Sequence, residues 1–416
     1  MQIKERKNPM NNIEDKSDFF CSGCGACAVA CPVNAIEYKL NDKGFFQAFV
    51  NEEKCVHCGK CKKVCAKFLN NEESRKRLID SKLYSAQSKD ENIVRTCTSG
   101  GIAYEISKYG LEHGYKIVGT IFDNEKLQAK MIIARDMKEL ELLKGSKYLQ
   151  SYTIDAIEEM IKDCKKDANN KYIIFGTPCQ IQGISKLIKN EKVKNEIIKI
   201  DLFCHGVPSY AVWNIYCKEI KEKYKQKKIK NIEFRNKKDG WHSYCMKLVD
   251  LNDNNQYISE SKNYFYKIFF DDMMLNKSCY NCNVRKEYSY ADIRLGDFWG
   301  RKYYNKQDGV SAILVFSERG KNLLKQSNIN IIEEFDNVEE CLNYQSTQDY
   351  KNIELNNKYI NKVKDYTLLS KLIKDYRSDF NLNKRIKLYI KDNMGRISPK
   401  LKYNFKKFYY RVKRKD

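Results

Sequence analysis

The sequence lacks a long apolar segment. No uninterrupted apolar run approaches the roughly 18 residues that a membrane-spanning helix needs. The first twenty residues are polar and charged, so they also lack the apolar core of a secretory signal peptide. We therefore expect the cytoplasm as the compartment.

Proline and glycine are also scarce, with five and 19 residues among 416. This composition excludes collagen-like chains and low-complexity disordered chains. Because 42% of the residues are hydrophobic, a chain of this length can bury the cores of two or three domains.

Acidic residues are outnumbered, which leaves a formal net charge of +23 and raises nucleic acid as a partner. Residues 384–416 carry 13 Lys/Arg against two Asp, and the other lysines are dispersed among Asn and Glu. No zinc-finger, RNA-recognition or basic-zipper pattern accompanies them. We therefore predict no nucleic-acid partner.

Cysteine is abundant, with 17 residues, and the odd count fits a complete set of disulfides poorly. Without a secretory signal, such a density indicates metal binding or redox chemistry. Two runs, "CSGCGACAVACP" (Cys21–Pro32) and "CVHCGKCKKVC" (Cys55–Cys65), share the same spacings. Those spacings are typical of bacterial two-cluster ferredoxins. A double zinc knuckle is the alternative, since thiolates also suit zinc.

In the ferredoxin pattern, the fourth cysteine of each run binds the cluster of the other run. We therefore predict two 4Fe-4S clusters. The ligand set of the first is Cys21, Cys24, Cys27 and Cys65, and that of the second is Cys55, Cys58, Cys61 and Cys31.

The chain divides into three regions that differ in composition and in predicted secondary structure. Residues 18–68 are predicted to form the ferredoxin domain, with a hairpin around the turn Asn41–Gly44. Residues 82–350 alternate short strands and helices, which predicts an α/β domain with a mixed sheet. Residues 351–416 are predicted to form a helical, basic C-terminal tail. The fold class is thus α+β or α/β.

Several short motifs lie within residues 82–350. The motif "CTSGG" (Cys97–Gly101) directly precedes a helix, where free N–H groups suit a phosphate, although a lone SGG is more often a plain turn. The motifs "FGTPCQIQG" (Phe175–Gly183) and "FCHGVPS" (Phe203–Ser209) follow apolar strands, the usual place for ligands in open α/β sheets.

Taken together, "SGG", "GSKYLQS", "GTPCQ", "CHGVPS", "CYNC" and "GDFWG" resemble the family of coenzyme F420 hydrogenase/dehydrogenase β subunits. The likeness is to its bacterial form with an N-terminal ferredoxin domain, and it extends from about Phe19 to Phe316. It implies FAD and a third 4Fe-4S cluster in the α/β domain. The matching cysteines are Cys179, Cys204, Cys279 and Cys282. The alternative for these four is buried or free thiols, which is also our interpretation of the other five: Cys97, Cys164, Cys217, Cys245 and Cys341.

The resemblance also suggests where a flavin would bind. The candidate contacts are Ser99, Gly100, Gly101, Lys147, Tyr148, Thr177 and Gln180. Lys147 is the candidate cation that would stabilise the reduced flavin. His205 is a candidate proton donor near the ring, with the alternative that it only orders the turn before Pro208. Asp297 and Trp299 are further candidates for the pocket wall.

Flavins exchange hydride and clusters carry single electrons. The predicted function is therefore an iron–sulfur flavin oxidoreductase that passes electrons between clusters and FAD and on to coenzyme F420 or another organic acceptor. One alternative is a ferredoxin-dependent reductase of a cell-envelope sugar or lipid-linked intermediate. Another is a non-catalytic electron-transfer subunit.

The expected partners are a ferredoxin or another redox protein and a small-molecule hydride donor or acceptor. For the basic tail two interpretations remain open. It contacts the inner membrane surface peripherally through its cationic side chains, or it is a solvated or partner-docking segment.

Overall fold

A computed structural model describes residues 11–14, 20–68, 75–224 and 229–394 of the chain. Its strands are β1 Ile36–Leu40, β2 Phe46–Val50, β3 Lys76–Arg77, β4 Lys82–Ser88, β5 Tyr115–Asp123, β6 Gln128–Ala134, β7 Ser151–Tyr152, β8 Lys171–Gly176, β9 Ile197–Leu202, β10 Ile229–Asn236, β11 Cys245–Asp250, β12 Asn255–Ser259, β13 Tyr288–Ser289, β14 Ile293–Asp297, β15 Ser311–Val315 and β16 Ile329–Phe335.

The α-helices are mostly short. They are α1 Ala26–Val29, α2 Lys60–Val64, α3 Glu91–Thr96, α4 Ile102–Glu112, α5 Met137–Leu143, α6 Ile154–Lys166, α7 Pro178–Asn190, α8 Tyr210–Lys223, α9 Tyr264–Phe270, α10 Asn283–Lys286, α11 Glu318–Gln326, α12 Glu339–Leu342, α13 Ile353–Ile360, α14 Leu369–Ser378 and α15 Leu382–Met394. None of the helices in the described ranges is both long and apolar enough to cross a membrane.

A nine-stranded mixed sheet forms the centre, in the order β16-β4-β15-β14-β9-β8-β5-β6-β7. Its middle strands β14, β9, β8 and β5 are parallel. Most residues of strands β8 and β9 are apolar and buried, as is typical of strands covered on both faces. The predicted mixed sheet is confirmed, and the carboxyl ends of β8, β9 and β14 lie at one edge.

Helices cover both faces of this sheet. Apolar residues of α4 and α11 pack on one face, including Ile106 and Leu323. Residues of α6 and α7, among them Met160 and Ile184, pack on the other. The edge between these layers is therefore the place where loops are free to form a site.

The N-terminal module consists of the antiparallel hairpin β1-β2 and the short helices α1 and α2. The hairpin turns at Gly44, whose φ of 78° a non-glycine residue rarely adopts. Ala26 and Val64 of the module are buried in the same core as α6 and α7. The module therefore packs directly on the α/β domain.

A smaller antiparallel sheet, β10-β11-β12, packs with α8 and α9 in a second core. Helices α13 and α14 contribute Tyr359, Leu372 and Tyr376 to that core. Residues 353–378 are thus continuous with the domain. The remainder of the basic tail, beyond Met394, lies outside the described residues, and with it most of the predicted membrane contact.

Candidate cluster and cofactor sites

The first predicted ligand set comes together in the structure. Gly25 precedes helix α1 in a left-handed conformation, and Cys27 within that helix is buried. Burial, and then the nearby Cys65 and Cys21, raise the pKa of the Cys24 thiol to about 12. Burial likewise raises the pKa of Cys65 to about 11, and Cys21 contributes. The run-crossing set Cys21, Cys24, Cys27 and Cys65 is therefore one group in space.

Three cysteines of the second set, Cys31, Cys55 and Cys61, are grouped in the same crossed way. Gly59, also left-handed, starts helix α2 beside Cys61. Burial raises the pKa of Cys61, and the neighbouring Cys31 and Cys55 contribute. Cys58 is exposed, whereas the other cysteines of the described residues are buried or half-buried. The second group therefore lies nearer the protein surface.

Crowded, buried thiols of this kind fit a polynuclear cluster. Thiolates are its ligands, and burial among other thiolates is costly unless a cation compensates the charge. Among the described residues, no three His, Cys, Asp or Glu side chains are arranged to hold a metal ion. The ligand roles themselves stay predictions.

A third group of cysteines lies at the edge of the central sheet. Cys179 is the second residue of α7, directly after β8, and Cys204 follows the neighbouring parallel strand β9. Burial raises the pKa of Cys204 to about 12, with contributions from Cys179 and Cys282. Burial also raises the pKa of Cys279, and the other three cysteines contribute. All four cysteines named by the resemblance therefore meet at one place.

Arg285, which the sequence analysis did not single out, holds this group together. Its Nη1 donates to the carbonyl oxygens of Cys279 (2.9 Å) and His205 (3.3 Å), and its Nη2 donates to Gln348 O at 2.8 Å. The guanidinium also lies 3.9 Å from the ring centroid of Tyr350. Its position three residues after Cys282 was the available signal.

A buried ion pair supports the same loop. Arg294 of β14 and Asp201 of β9 are both fully buried and are register partners. Arg294 Nε and Nη2 donate to the two carboxylate oxygens at 2.6 and 2.7 Å. Nη2 also donates to Val284 O at 2.8 Å, within the segment that follows the cysteine pair. A charged residue in an apolar strand was the sequence signal for this support.

A cavity of about 490 Å³ adjoins the third cysteine group. Cys204 lines it, together with six of the predicted flavin contacts, the candidate proton donor His205 and the candidate wall residues Asp297 and Trp299. The six contacts are Ser99, Gly101, Lys147, Tyr148, Thr177 and Gln180. Gly100 is not among the lining residues. Its amide donates to Ser311 Oγ at 2.9 Å, and a Cβ there would lie 2.5 Å from Ala86 O. The absence of a side chain at Gly100 therefore lets the turn pack closely against β4 and β15.

The SGG turn presents the start of α4 to the cavity. Ser99 and Gly101 have φ of 57° and 83°, and no side chain caps the helix at Gly101. Ser99 Oγ donates to Val310 O at 3.0 Å, which anchors the turn on the residue directly before β15. The first amides of α4 therefore have no side-chain acceptor from the cap residue, as a phosphate site requires.

Lys147 and Tyr148 have structural partners at the cavity wall. Lys147 Nζ donates to Leu143 O (2.9 Å) and Lys144 O (2.8 Å), and so caps the end of α5. Burial lowers the pKa of this amine to about 7. Tyr148 packs among aromatic rings, the nearest being Phe269 at 5.2 Å between centroids. Lys147 is therefore less suited to act as the free cation of the site.

Thr177, Gln180 and His205 are also engaged. Gln180 Oε1 accepts from Thr177 N at 2.9 Å, and its Nε2 donates to Ser151 Oγ at 2.8 Å. His205 Nε2 lies 2.9 Å from Phe269 O, and Nδ1 lies 3.1 Å from Ser346 Oγ. Because both ring nitrogens have protein partners, these contacts favour the interpretation that His205 orders its turn.

The cation most directly placed at the cavity is Arg235, which sequence reasoning missed. It is buried, forms an ion pair with Asp297, and donates to Trp241 O at 3.1 Å. Its guanidinium lies 4.6 Å and 5.1 Å from the rings of Tyr244 and Trp299. Strand β10 carries Arg235, and only the packing of the smaller sheet against β14 brings it to this site.

An open basic groove of about 1500 Å³ leads outward from the cavity. The groove and the cavity share Thr98, Lys147 and Arg235 among their lining residues. Eight Lys or Arg residues line the groove against four Asp or Glu residues. Its charge suits an anionic molecule.

Three family models match the chain. Residues 83–158 match the N-terminal and residues 169–340 the C-terminal part of the coenzyme F420 hydrogenase/dehydrogenase β subunit. Residues 20–68 match the 4Fe-4S dicluster domain. The N-terminal module is thus an iron–sulfur domain of the predicted kind.

Individual relatives are distant. An uncharacterized protein of Methanocaldococcus jannaschii is 22% identical over 350 residues, which is 73% of this chain and 90% of that protein. One of the subunits of the F420H2 dehydrogenase of Methanosarcina mazei is 25% identical, over 44% of this chain and 53% of its own length. A chain of the F420-reducing [NiFe] hydrogenase complex from Methanosarcina barkeri is 17% identical with a TM-score of 0.43, covering 76% of this chain and 97% of that chain.

Proposed function

Because this chain belongs to the family of coenzyme F420 hydrogenase/dehydrogenase β subunits, we propose that it is an iron–sulfur flavoprotein oxidoreductase. It passes electrons between 4Fe-4S clusters and FAD, and exchanges hydride with coenzyme F420 or another anionic organic molecule. The observation that carries the proposal is the adjacency of the third cysteine group to the cavity, since Cys204 belongs to both.

The residues present fit these groups. Cys179, Cys204, Cys279 and Cys282 would hold a third 4Fe-4S cluster, and the start of α4 with Ser99 would hold a phosphate of FAD. When bound, the flavin supplies the conversion between hydride transfer and single-electron transfer.

The protein's own side chains would tune and shield that chemistry. Arg235 is a permanent cation that Asp297 keeps in place, and it would stabilise negative charge on a reduced flavin. Tyr148, Phe269 and Phe270 form an aromatic wall of the cavity that would limit the access of water to a bound flavin. Lys147 supports this wall because its side chain caps the C-terminal end of α5.

The outer groove supports an anionic hydride carrier or substrate, because its lining is net positive. Coenzyme F420 is our first candidate, following the family. A phosphate-linked cell-envelope sugar or lipid intermediate is the second, because its charge fits the same groove.

Anaerobic purification with iron and flavin counting tests the proposal. Three four-iron clusters predict about twelve irons per chain together with one FAD. About eight irons without flavin would instead identify a non-catalytic electron carrier. Flavin reduction by F420H2, NADH, NADPH and reduced ferredoxin is then compared side by side, with phosphate-linked envelope intermediates as acceptors.

Substitution of Arg235 tests the site within that experiment. Arg235→Met should lower the flavin midpoint potential, because the reduced anion loses its nearest cation. Lys238→Met is the matched control, since it removes one charge from an exposed position of the outer groove. Equal potentials in both variants would contradict flavin binding beside Arg235.

A further inference from the structure

The ferredoxin module docks on the α/β domain through buried polar contacts. Gln150 Nε2 donates to Ser22 O (3.1 Å) and Phe46 O (3.2 Å), and Gln150 Oε1 accepts from Phe46 N at 2.7 Å. Gly23 has φ of 67°, and a Cβ there would lie 2.1 Å from Gln150 Nε2. The "GSKYLQS" motif thus holds the first cysteine loop in a fixed position.

Cys24 of that loop lies directly on helix α7. A Cβ at Gly183 would be 2.7 Å from Cys24 Sγ and 3.2 Å from Ala26 Cβ. Thr153 Oγ1 donates to Cys24 O at 3.2 Å from the neighbouring helix α6. The absence of a side chain at Gly183 therefore permits the close approach of this cysteine.

The same helix carries a cysteine of the third group one turn earlier. Cys179 and Gly183 are four residues apart, so they share a face of α7. Because Cys24 lies against Gly183, it approaches the same face of α7 as Cys179. Cys58 of the other ferredoxin group is exposed to solvent.

We propose that helix α7 at Gly183 is the junction at which electrons cross between the ferredoxin module and the α/β domain. The cluster of the Cys24 group exchanges electrons across this junction with the cluster of the Cys179 group. The cluster of the Cys58 group exchanges electrons with redox partners outside the protein. In each crossing one electron leaves a reduced cluster and reduces an oxidised one, and no bond or proton changes place. This inference rests on the proposed function, because it requires the third cluster.

Substitutions at Gly183 test the junction without removing a ligand. Gly183 is buried, so Gly183→Ala adds one methyl group directly against Cys24 while every ligand stays in place. Gly183→Leu places a larger side chain against Cys24. Lys189→Ala, at an exposed position of the same helix, is the matched control.

The readout is electron paramagnetic resonance of the anaerobic protein reduced with dithionite, together with its iron and flavin content. The parent and Lys189→Ala should show spin–spin splitting between the cluster of the Cys179 group and that of the Cys24 group, besides any splitting within the ferredoxin module. Gly183→Leu should lose this interdomain splitting with its iron content intact, and Gly183→Ala should show less of it than the parent. Reduction of the flavin by reduced ferredoxin should slow in the same order.

Cys58→Ser provides the second arm. It should remove the signal of the outer cluster and leave the interdomain splitting in place. Interdomain splitting that disappears in Cys58→Ser and survives in Gly183→Leu overturns the proposed order. A parent without a third cluster overturns the proposed function as well, whereas an intact three-cluster protein whose interdomain splitting survives Gly183→Leu overturns the junction alone.

Discussion

The buried pair of Arg294 and Asp201 should be among the most sensitive positions of the protein. Both side chains are fully buried and joined by two hydrogen bonds of 2.6 and 2.7 Å. Ser289 Oγ donates to the same carboxylate at 2.8 Å. Substitution Arg294→Met would therefore leave a carboxylate without its cation inside the domain.

The expected cost is large because the remaining charge has no access to water. Breaking a buried ion pair by removing one partner costs about 3–5 kcal/mol of unfolding free energy. Arg294 also donates to Val284 O, so its loss should loosen the segment that follows Cys282. We therefore expect Arg294→Met to lower the urea midpoint and to lose about four irons per chain.

A double variant separates the charge from the packing. Asp201→Asn combined with Arg294→Met removes both charges, and it should recover most of the lost stability. Lys230→Met is the control, since its ion pair with Asp253 is exposed and is worth about 0–1 kcal/mol. Anaerobic urea unfolding and iron analysis measure these outcomes. If the free energy of unfolding of Arg294→Met lies within about 1 kcal/mol of the parent, the size expected for a surface ion pair, the reasoning is refuted.

Three further substitutions test the site and its docking contacts. Cys282→Ser should remove about four irons per chain, whereas Cys164→Ser, a buried cysteine outside the three groups, should remove none in a colorimetric iron assay. Burial lowers the pKa of Lys147 from 10.5 to about 7, so the unfolded chain binds the extra proton between those values. The free energy of unfolding should then rise with pH from about 7 to about 10, and Lys147→Met should flatten that slope in denaturant titrations. Gly23→Ala should weaken docking of the ferredoxin module, because the new methyl group meets Gln150. Weaker docking should appear as faster proteolysis between residues 68 and 82. An unchanged rate of proteolysis would contradict the docking contact.

The cysteine spacing was the strongest local signal. It predicted the crossed grouping of the two runs, because three ligands on a tight loop and a fourth in the next helix leave little geometric freedom. The strands and the mixed sheet followed equally from local pattern, since "YIIFG" and "IIKIDL" are mostly apolar and mostly buried. The meeting of Cys179 and Cys204 at one edge follows from neighbouring parallel strands.

Side-chain roles within the motifs were less predictable. The sequence indicated Lys147 as the free cation, and the structure uses its amine to end a helix. Gln150, in the same motif, docks the ferredoxin module instead of lining the cavity. Arg235 lies in a strand with no motif, so no local pattern distinguished it from the many other basic residues.

The sequence by itself determined the chemistry of this protein: which cysteines come in sets, which strands are buried, and which family it belongs to. These properties depend on residue type and on spacing along a few turns of chain. Only the tertiary structure decided which cation faces the cavity and which cysteine of the ferredoxin module packs against α7. Those contacts join residues far apart in the chain, such as Arg235 with Asp297 or Cys24 with Gly183, and they depend on how separate elements pack against each other.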